Sequence, residues 1–585
     1  MTAKYTTDLI SKLSKRPLPT LEATLARLTE SAQPLLGDAE QAKLADLIAA
    51  FQQSDGPVLQ SALHRLQVET NANWTTPLQS ERYLTNQSAL QVATNFAFTI
   101  SPSHLPDRPP IELAAKLLQN IADQYLAFAN ETAPVEVDDD GRPLDMSGYI
   151  PLFRSQRLPH THRDHFHQTR LALKNIEATV IYRQTVYQIL LIDHAGRVAT
   201  LHSLTEALRL IFAQSDPDDR FIGQYTGLPR QLAAKTWHRL NKNDQNHQNF
   251  ERVANSLLVM TFADLEASAG LRQTLLGPNE HFFDKTMQVV IDYEKGIGFS
   301  FEHSHIDSQP AGHIVDAVIA DLKKPEDQWD SKGKPHFERL AWELDSKSLI
   351  ALQQAQIKTT VFSAKLQFAA ATLTQFGRTA LEALHVSPDA FFQLVLTLAQ
   401  YRLTGGWHRL NEPVSMRHFY QGRPESLNTL STSAKQFVTD FASGQRDAAI
   451  RQSFNQAITQ HTAAIQEVQE GNGTDQHLLG LQTMMNTHGG KAAFPDAAEL
   501  FDSDVYQQLT TNFFATASVA CDIIDNFSFA PLDPSGYGIY YGILPEKVLL
   551  TVSAWQTNPF SAQEVADVIV SSAEEIYDWL VAFDE

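Results

Sequence analysis

The chain has 585 residues, and its 46 lysines and arginines against 67 aspartates and glutamates give a formal net charge of −21 at pH 7. A protein that follows a phosphate backbone or an anionic membrane surface needs a net basic face, so this balance argues against both partners. The single cysteine, Cys521, excludes an intramolecular disulfide and a cysteine-based zinc site. With 43% hydrophobic and 19% charged residues, the chain can form large buried cores.

The cellular location is inferred from what the sequence contains at its start and along its length. The first residues mix charged and polar side chains where a secretory signal needs an uninterrupted apolar stretch. No apolar run reaches the roughly 18 residues that a membrane-spanning helix needs. We therefore expect a cytoplasmic protein without a membrane span, and we expect a monomer.

Helices and strands are predicted throughout the first half of the chain. Apolar residues at helical spacing predict helices within 21–51 and 111–129. Two runs rich in β-branched residues predict strands within 176–194, followed by helices near 203–214 and 230–258. This alternation is typical of an α/β protein.

The second half shows the same mixture of elements. Residues 346–375 are predicted to be helical, and Ser387-Pro388-Asp389 has the composition of a helix start. Two strands are predicted at 537–543 and 546–553, and Ser561 to Glu564 is a capping box that opens the last helix. Because no repeat and no low-complexity linker separates these segments, two large interleaved α/β domains are favoured.

Several common catalytic motifs are absent from the sequence. A Walker A loop, G-x-G-x-x-G after a strand, G-x-S-x-G and H-E-x-x-H do not occur, which argues against nucleotide hydrolysis, Rossmann dehydrogenation and serine hydrolysis. Segment 160–167 carries four histidines but has no partner cysteines. It is predicted to be a solvated loop rather than a metal site.

The clearest local pattern is at 287–304, where two alternating runs flank Glu294-Lys295-Gly296 and predict a β-hairpin. The hairpin places His303 at a strand end, four residues before Asp307. An imidazole can remove a proton from an alcohol at neutral pH. A carboxylate four residues later can orient the imidazole directly or through a neighbouring basic group. Because His160 and Asp164 have the same spacing, the pattern alone does not identify a catalytic histidine.

The wider context of His303 is more specific. Residues 282–308, FFDKTMQVVIDYEKGIGFSFEHSHIDS, resemble the catalytic segment of the choline/carnitine O-acyltransferase family. Further similar blocks follow in the order of that family: RPLP at 16–19, GRPLDMSGY at 141–149, SPDAFFQLVLTLAQYR at 387–402, VSMRHFYQGR at 414–423, DQHLLGL at 475–481, and the ending GYGIYYG with VLLTVSAW. The resemblance covers nearly the whole chain.

The resemblance implies an α/β fold of two interleaved domains that are each similar to chloramphenicol acetyltransferase. Each would be a mixed β-sheet covered by helices, with the active-site tunnel at their interface. Residues 86–345 would form the domain with the catalytic histidine, and 1–85 plus 346–585 would form the domain with the CoA and acceptor elements. CoA or acyl-CoA is implied as a co-substrate, and no permanently bound cofactor or metal is expected.

The resemblance also implies a mechanism. His303 would be a general base that deprotonates the acceptor hydroxyl, which attacks the thioester directly without an acyl-enzyme. Asp307 matches the acidic loop position of the family, although a turn-capping role for its carboxylate is equally consistent with the sequence. Ser308 occupies a position where the family usually has glycine.

The groups that would stabilise the oxyanion differ from the family pattern. The family uses an S-T-S tripeptide, and counting back from Gly536 places Ala515-Thr516-Ala517 at this position. Both serines are therefore replaced. Thr516 or Ser518 is expected to supply the hydrogen-bond donor.

The CoA phosphates need local cations in this acidic chain. The basic pair of the family falls on Arg378 and Glu382. Arg378 is expected to bind CoA, with an ordinary exposed helix charge as the alternative, whereas Glu382 reverses the charge.

The acceptor positions are the most informative. Carnitine enzymes hold the carnitine carboxylate with Tyr, Thr and Arg, and the matching positions here are Asn411, Pro424 and Gln476. An unpaired carboxylate in a tunnel is costly, so choline or another alcohol without a carboxylate is favoured. Phe529 would border the trimethylammonium group. Phe527 would cap the acyl pocket and favour acetyl or another short acyl group.

The sequence therefore predicts a CoA-dependent O-acyltransferase that transfers a short acyl group to a choline-like hydroxyl. One alternative is a carnitine O-acyltransferase with a rebuilt carboxylate site, for which Arg417, Arg423 or His418 would have to turn inward. A second alternative is a catalytically impaired family member that acts as a binding protein, suggested by the replaced serines and by Glu382.

Overall fold

The computed structural model describes residues 5–70, 73–214, 221–263, 270–277, 281–292, 296–324, 334–519 and 521–584. The helices of the first half are α1 (Leu21–Ala32), α2 (Asp38–Gln53), α3 (Asp55–Glu69), α4 (Thr75–Thr85), α5 (Leu90–Ala93), α6 (Pro110–Ala129), α7 (Leu201–Gln214), α8 (Arg230–Leu240), α9 (Asp244–Asn255) and α10 (Gly270–Leu276). Those of the second half are α11 (Ser308–Asp321), α12 (Ser346–Ser363), α13 (Arg378–Ala383), α14 (Pro388–Thr404), α15 (Thr432–Ala442), α16 (Ala448–Glu467), α17 (Asp475–Thr487), α18 (Pro495–Asp502), α19 (Asp504–Thr510) and α20 (Ala562–Asp584).

The strands alternate with these helices along the chain. In chain order they are β1 (Asn95–Ile100), β2 (Ser155–Leu158), β3 (His165–Gln168), β4 (Ile176–Tyr182), β5 (Thr185–Ile192), β6 (Val259–Ala263), β7 (Met287–Asp292), β8 (Gly296–Glu302), β9 (Phe337–Arg339), β10 (Leu366–Leu373), β11 (Arg409–Val414), β12 (Glu425–Asn428), β13 (Asn512–Ala517), β14 (Ile524–Phe529), β15 (Tyr537–Ile543) and β16 (Val548–Trp555). The structure thus confirms the predicted α/β class.

Two large mixed sheets organise the described part of the chain. The larger sheet has the strand order β14-β1-β8-β7-β6-β4-β5-β9, and the smaller has the order β10-β16-β15-β13-β11-β12. The predicted hairpin is confirmed, since β7 and β8 pair antiparallel from Met287 with Phe301 to Asp292 with Gly296. Glu294 and Lys295, which we assigned to its turn, lie outside the described residues.

Helices cover both sheets and enclose separate cores. Apolar side chains of α6, α7 and α11 pack on the larger sheet, and those of α14, α15, α16 and α20 pack on the smaller sheet. A third core lies among α1–α3 and α17–α19. Two predicted helix starts are confirmed. Ser387 accepts a hydrogen bond from the Ala390 amide at the start of α14, and Ser561 and Glu564 form the predicted capping box before α20.

One strand crosses between the two halves of the chain. Strand β14, which follows β13 of the smaller sheet, pairs antiparallel with β1 at the edge of the larger sheet, with Phe98 opposite Phe527 and Phe96 opposite Phe529. Both candidate acyl and acceptor phenylalanines therefore lie beside the strand that neighbours β8. The predicted division into domains of 86–345 and of 1–85 plus 346–585 stays a prediction.

Two local predictions were wrong in part. The predicted helix 346–375 ends at Ser363, and 366–373 is strand β10, because pairing with β16 outweighs the helix propensity of its alanines. The predicted solvated loop 160–167 is exposed at 161–163, but Asp164 is fully buried between Arg157 and Arg230 and β3 begins at His165. The helices predicted near 230–258 are confirmed as α8 and α9, which are separated at Asn241–Asn243.

Among the described residues, no helix is both long and apolar enough to span a bilayer. The longest helix, α20, has one apolar face packed in the core of the smaller sheet. The other long helices likewise contribute one face to a core.

Candidate active site

His303 follows the last residue of β8 and lies in a turn that leads into α11. Its Nδ1 is 2.5 Å from the carbonyl oxygen of Ile306, a distance that requires Nδ1 to donate a proton. In the neutral ring, Nε2 then carries the lone pair. The histidine is thus held in the tautomer that a general base needs at Nε2.

The environment of His303 favours this neutral form. Burial lowers the pKa of His303, the charge of Arg423 lowers it further, and Asp307 opposes both effects. The net direction is below the ordinary histidine pKa, so the ring is uncharged and able to accept a proton at pH 7.

We expect this pKa to appear in the pH dependence of turnover. As the pH falls, His303 is protonated and loses its function as a base, so kcat/KM should fall with a midpoint below the ordinary histidine value of about 6.5. A kcat/KM profile measured with acetyl-CoA and the best acceptor checks this. A midpoint above that value would contradict the assignment of His303 as the base.

Arg423 fixes the turn that carries His303. Its guanidinium donates to the carbonyl oxygens of His303 at 2.8 Å, Ser304 at 2.5 Å and Ile306 at 2.9 Å. It also forms an ion pair with Asp307 at 2.9 Å. The turn is therefore tied to a segment more than a hundred residues later in the chain.

Asp307 forms an ion pair with Arg423 and makes no hydrogen bond to His303. Its Oδ1 is 3.8 Å from Nδ1 of His303, which is longer than a hydrogen bond. Although Asp307 occupies the position before α11, its side chain makes no capping hydrogen bond, so the turn-capping alternative is wrong. Burial raises the pKa of Asp307, but Arg423 and His303 outweigh it and hold the pKa below its usual range.

Glycine makes the approach of Arg423 possible. A Cβ atom at Gly422 would lie 1.8 Å from the carbonyl oxygen of Met416, so only glycine fits this turn. The guanidinium then stacks over Tyr83, with 5.1 Å between its carbon and the ring centre. This explains the G-R pair at the end of the block 414–423.

Aromatic rings enclose the imidazole. Tyr83 of α4 and Phe96 of β1 each contact His303 edge-on, at centroid distances of 5.4 and 5.5 Å. Phe527 is 2% exposed and packs on Phe96 at 5.6 Å and on Tyr540 at 5.1 Å. The ring of Phe529 lies 6.0 Å from that of Phe527 and is half-buried.

A cavity of about 780 Å³ lies beside the turn. Its lining residues include Asp307, His313, Arg378, Arg417, Ser518 and Cys521. Arg378 is exposed at the start of α13 and donates to the carbonyl of Ile543 at 3.2 Å. Glu382, at the other end of this short helix, is also exposed. The cavity is large enough for part of a CoA molecule.

Thr516 and Ser518 face different surroundings. The Thr516 hydroxyl donates to the carbonyl of Asn411 at 2.9 Å, and Gln393 of α14 lies on the same side. Ser518 is exposed and lines the cavity with Asp307. Since the Thr516 proton is already engaged, Ser518 is the better placed candidate for the oxyanion donor.

The three acceptor positions lie close to one another in the fold. Asn411 is buried on β11 and its side-chain oxygen accepts from Ser426. Gln476 is buried at the start of α17, and its backbone amide donates to Glu425 at 2.9 Å. Pro424 lies between Arg423 and Glu425, and its carbonyl accepts from Gln79 of α4 at 3.4 Å.

The cations required by the carnitine alternative have partners within the protein, although Nη1 of Arg417, which lines the cavity, has none among the described residues. Arg417 forms an ion pair with Glu136 at 2.6 Å and donates to the Asp145 carbonyl. His418 contacts the Gln469 carbonyl at 2.6 Å. Arg423 holds the turn of His303.

One group of side chains could bind a metal ion among the described residues. The ligand atoms of Asp389, Glu412 and His461 lie within 4.8 Å of one another. His461 Nε2 is 2.8 Å from Glu412, and Tyr541 donates to Asp389 at 2.7 Å. Burial, and then the charge of Asp389, raise the pKa of Glu412 to about 8.

Sequence reasoning missed two residues of the site. Tyr83 contacts His303, and Arg423 was considered only as a carboxylate ligand. Tyr83 had no signal beyond its place in an amphipathic helix. The signal for Arg423 was its position directly after a glycine at the end of the 414–423 block, together with the need of the H-x-x-x-D pattern at 303–307 for a basic partner.

The histidine at the end of β8 is partly buried, is held with Nε2 free to accept a proton, and lies in the turn beside the cavity, an arrangement that can perform general-base chemistry. The comparison of sequences agrees. Residues 16–570 match the sequence profile described as Choline/Carnitine o-acyltransferase, and the chain belongs to this family.

Curated relatives of the chain carry both acceptor names. Carnitine O-acetyltransferase of Columba livia is 26% identical, with 92% of this chain and 89% of that protein covered. Choline O-acetyltransferase of Sus scrofa is 25% identical (93% and 88%), and peroxisomal carnitine O-octanoyltransferase of Rattus norvegicus is 28% identical (92% of both). The family and the enzyme class are thereby established, and acyl-CoA is the co-substrate that the family uses.

Solved structures show more distant similarity. The trichothecene 15-O-acetyltransferase TRI3 of Fusarium sporotrichioides has 8% sequence identity and a TM-score of 0.39, with 86% of this chain and 94% of that chain covered. The first condensation domain of the calcium-dependent antibiotic synthetase has 10% identity and a TM-score of 0.40, with 87% and 95% covered.

Proposed function

We propose that this enzyme transfers a short acyl group between CoA and the hydroxyl of choline or a choline-like alcohol. The observation that supports this acceptor is the identity of the residues at the three acceptor positions, Asn411, Pro424 and Gln476. None of them has a positive charge that could pair with a carboxylate. A carnitine carboxylate placed there would lose its hydration without gaining an ion pair. A cytoplasmic location and a monomeric state remain part of this proposal.

His303 performs the proton transfers. Its Nε2 takes the proton of the acceptor hydroxyl as the oxygen attacks the thioester carbonyl, and the O–C bond forms while the carbonyl electrons move to oxygen. When the tetrahedral intermediate collapses, the C–S bond breaks and the protonated imidazole returns the proton to the CoA sulfur. The hydrogen bond from Nδ1 to Ile306 supports this role because it keeps Nε2 free.

Ser518 and Arg378 assist at two points of the same cavity. The Ser518 hydroxyl donates to the oxyanion of the tetrahedral intermediate, a contribution worth a few kcal/mol in other enzymes. Arg378 meets a phosphate of CoA, supported by its exposed position at the cavity edge.

Phe527 limits the acyl chain. Its ring is fully packed among Phe96, Phe98 and Tyr540, so the space next to the base is filled by protein. A long acyl chain would have to displace this cluster. Acetyl and propionyl groups need no such displacement.

The direct test measures release of free CoA thiol from acetyl-CoA and octanoyl-CoA, each with choline, carnitine or no acceptor. We expect acetyl-CoA with choline to give the highest rate and octanoyl-CoA to give little. Carnitine preference would contradict the acceptor assignment, and octanoyl preference would contradict the role of Phe527. Release that does not depend on any acceptor would identify thioester hydrolysis instead.

A triple variant tests the acceptor positions. Gln476→Arg with Asn411→Tyr and Pro424→Thr introduces the side chains that carnitine enzymes use, so the ratio of carnitine to choline kcat/KM should rise at least about tenfold, or 1.4 kcal/mol. The matched control is Gln476→Lys alone, which adds a charge without the fork geometry of arginine. An unchanged ratio would show that these positions do not face the acceptor.

A second candidate is carnitine itself, favoured by the names of several relatives. It requires Arg417, His418 or Arg423 to face the acceptor carboxylate, and of these three Arg417 lines the cavity. Arg417 is 5% exposed and paired with Glu136, so a movement toward the acceptor would break this ion pair and leave the Glu136 carboxylate with His313 and Tyr149 as its partners.

A further inference from the structure

A fully buried charge network lies behind the turn of His303. The Nε atom of Arg157 is 2.7 Å from Asp164 Oδ2, and Nε of Arg230 is 2.5 Å from the same oxygen. Nη1 of Arg157 lies 3.5 Å from Oε1 of Glu302, the last residue of β8. All four side chains have no exposed surface.

Ser304 connects this network to the turn. Its hydroxyl donates to Oε1 of Glu302 at 2.6 Å and accepts from Nη1 of Arg157 at 3.1 Å, while its backbone amide donates to Oε2 of Glu302 at 3.2 Å. On the opposite side, its carbonyl oxygen accepts from Arg423 at 2.5 Å. Ser304 is therefore held both by the first half of the chain and by the second.

Stability alone does not account for such a network. Buried ion pairs lose about as much hydration energy as they gain in attraction, and well-packed apolar replacements are often neutral or stabilising. Here the contacts converge on Glu302 and Ser304, the two neighbours of His303 in the chain. Thr94 adds a further hydrogen bond to Glu302 at 2.9 Å.

We infer that Ser304, held by Glu302 and Arg157, is a positioning residue for the base His303. Its hydroxyl fixes the start of the turn, and Arg423 fixes the end at Ile306 and Asp307. Only with both ends fixed does the Ile306 carbonyl remain in place to accept the Nδ1 proton of His303. This inference rests on the proposed function of His303 as the base.

The test compares Ser304→Ala with Ser300→Ala. Both serines are fully buried and lie at or near the end of β8, but the Ser300 hydroxyl has no hydrogen-bond partner among the described residues. Ser304→Ala removes only one oxygen and leaves every charge of the network in place, so folding is expected to persist. Substitutions of Arg157 or Glu302 would instead leave a partner charge buried and unpaired.

We expect Ser304→Ala to lower kcat roughly 10- to 100-fold, with the KM values for acetyl-CoA and acceptor within about twofold, because the base is misplaced while the substrates still bind. The acidic limb of the kcat/KM profile should move to higher pH, because a loosened turn admits water to the ring and weakens the effect that lowers its pKa. Ser300→Ala should match the wild type in kcat and in pH profile.

A second measurement is independent of turnover. Nitrogen NMR of ¹⁵N-histidine-labelled protein, with His303→Ala to assign the signal, reports the fraction of the Nδ1–H tautomer. We expect Ser304→Ala to reduce this fraction and Ser300→Ala to leave it unchanged. Equal kcat, pH profile and tautomer signals in both variants would overturn the inference. Absence of turnover in the wild type with every acceptor would overturn the proposed function, and the tautomer signal would then still decide the role of Ser304.

Discussion

Replacing His303 by alanine is expected to reduce turnover about 1,000-fold, because a positioned general base typically contributes 10²- to 10⁴-fold and Nε2 of His303 is held free to accept the acceptor proton. CoA binding should stay within a few-fold of the wild type, since Arg378 and the cavity wall are unchanged. Thiol release from acetyl-CoA measures the first quantity, and calorimetric titration with CoA measures the second.

The control for this variant is His303→Gln, which retains a polar side chain of similar length but has no basic nitrogen. Both variants should be equally inactive and equally folded by circular dichroism. Substantial activity in either one would assign the base to another residue. Loss of CoA binding together with activity would show a structural role for His303 instead.

Replacing Arg423 by alanine is expected to have the second largest effect. The change removes the ion pair to Asp307 and three hydrogen bonds to turn carbonyls, and it leaves the Asp307 carboxylate largely buried without its cation. Breaking a buried pair in this way costs about 3 to 5 kcal/mol. We expect a matching loss in the free energy of unfolding, and a fall in kcat of about 100-fold from the disordered base.

Two further variants separate charge from geometry. Arg423→Lys retains the charge but not the fork that reaches several acceptors at once, so it should recover part of the stability and little of kcat. Asp307→Asn in the Arg423→Ala background should restore stability, because the unpaired carboxylate is then removed. Denaturant unfolding and steady-state kinetics on all four proteins give these quantities. Full activity of Arg423→Lys would argue against the multidentate contact.

The features that could be predicted are those determined by residues close together in the sequence. The hairpin of β7 and β8 could be recognised because alternating residues and a glycine turn lie within one segment, and this placed His303 correctly at a strand end. The capping box of Ser561 and Glu564 was predicted for the same reason. Resemblance to the family supplied the base and the order of the blocks.

Features that depend on distant contacts were not predictable in the same way. Strand β10 was taken for a helix because Ala369–Ala371 favour a helix until β16 pairs with them. Asp164 was placed in solvent because its two arginine partners cannot be read from neighbouring residues. Arg423 reaches Asp307 across 116 positions, so the partner of the carboxylate emerged only from the fold.

The crossing strand β14 also determines when the larger sheet can be completed during synthesis of the chain. Phe96 and Phe98 lie opposite Phe529 and Phe527, so β1 has one unpaired edge until nearly the whole chain has left the ribosome. At 5–20 residues per second, the roughly 430 residues between the paired strands take about 20 to 90 seconds to produce. Throughout that interval the nascent sheet presents an open apolar edge, the kind of surface on which chains associate wrongly. Protection of this edge by a chaperone during translation is therefore expected to raise the yield of folded protein.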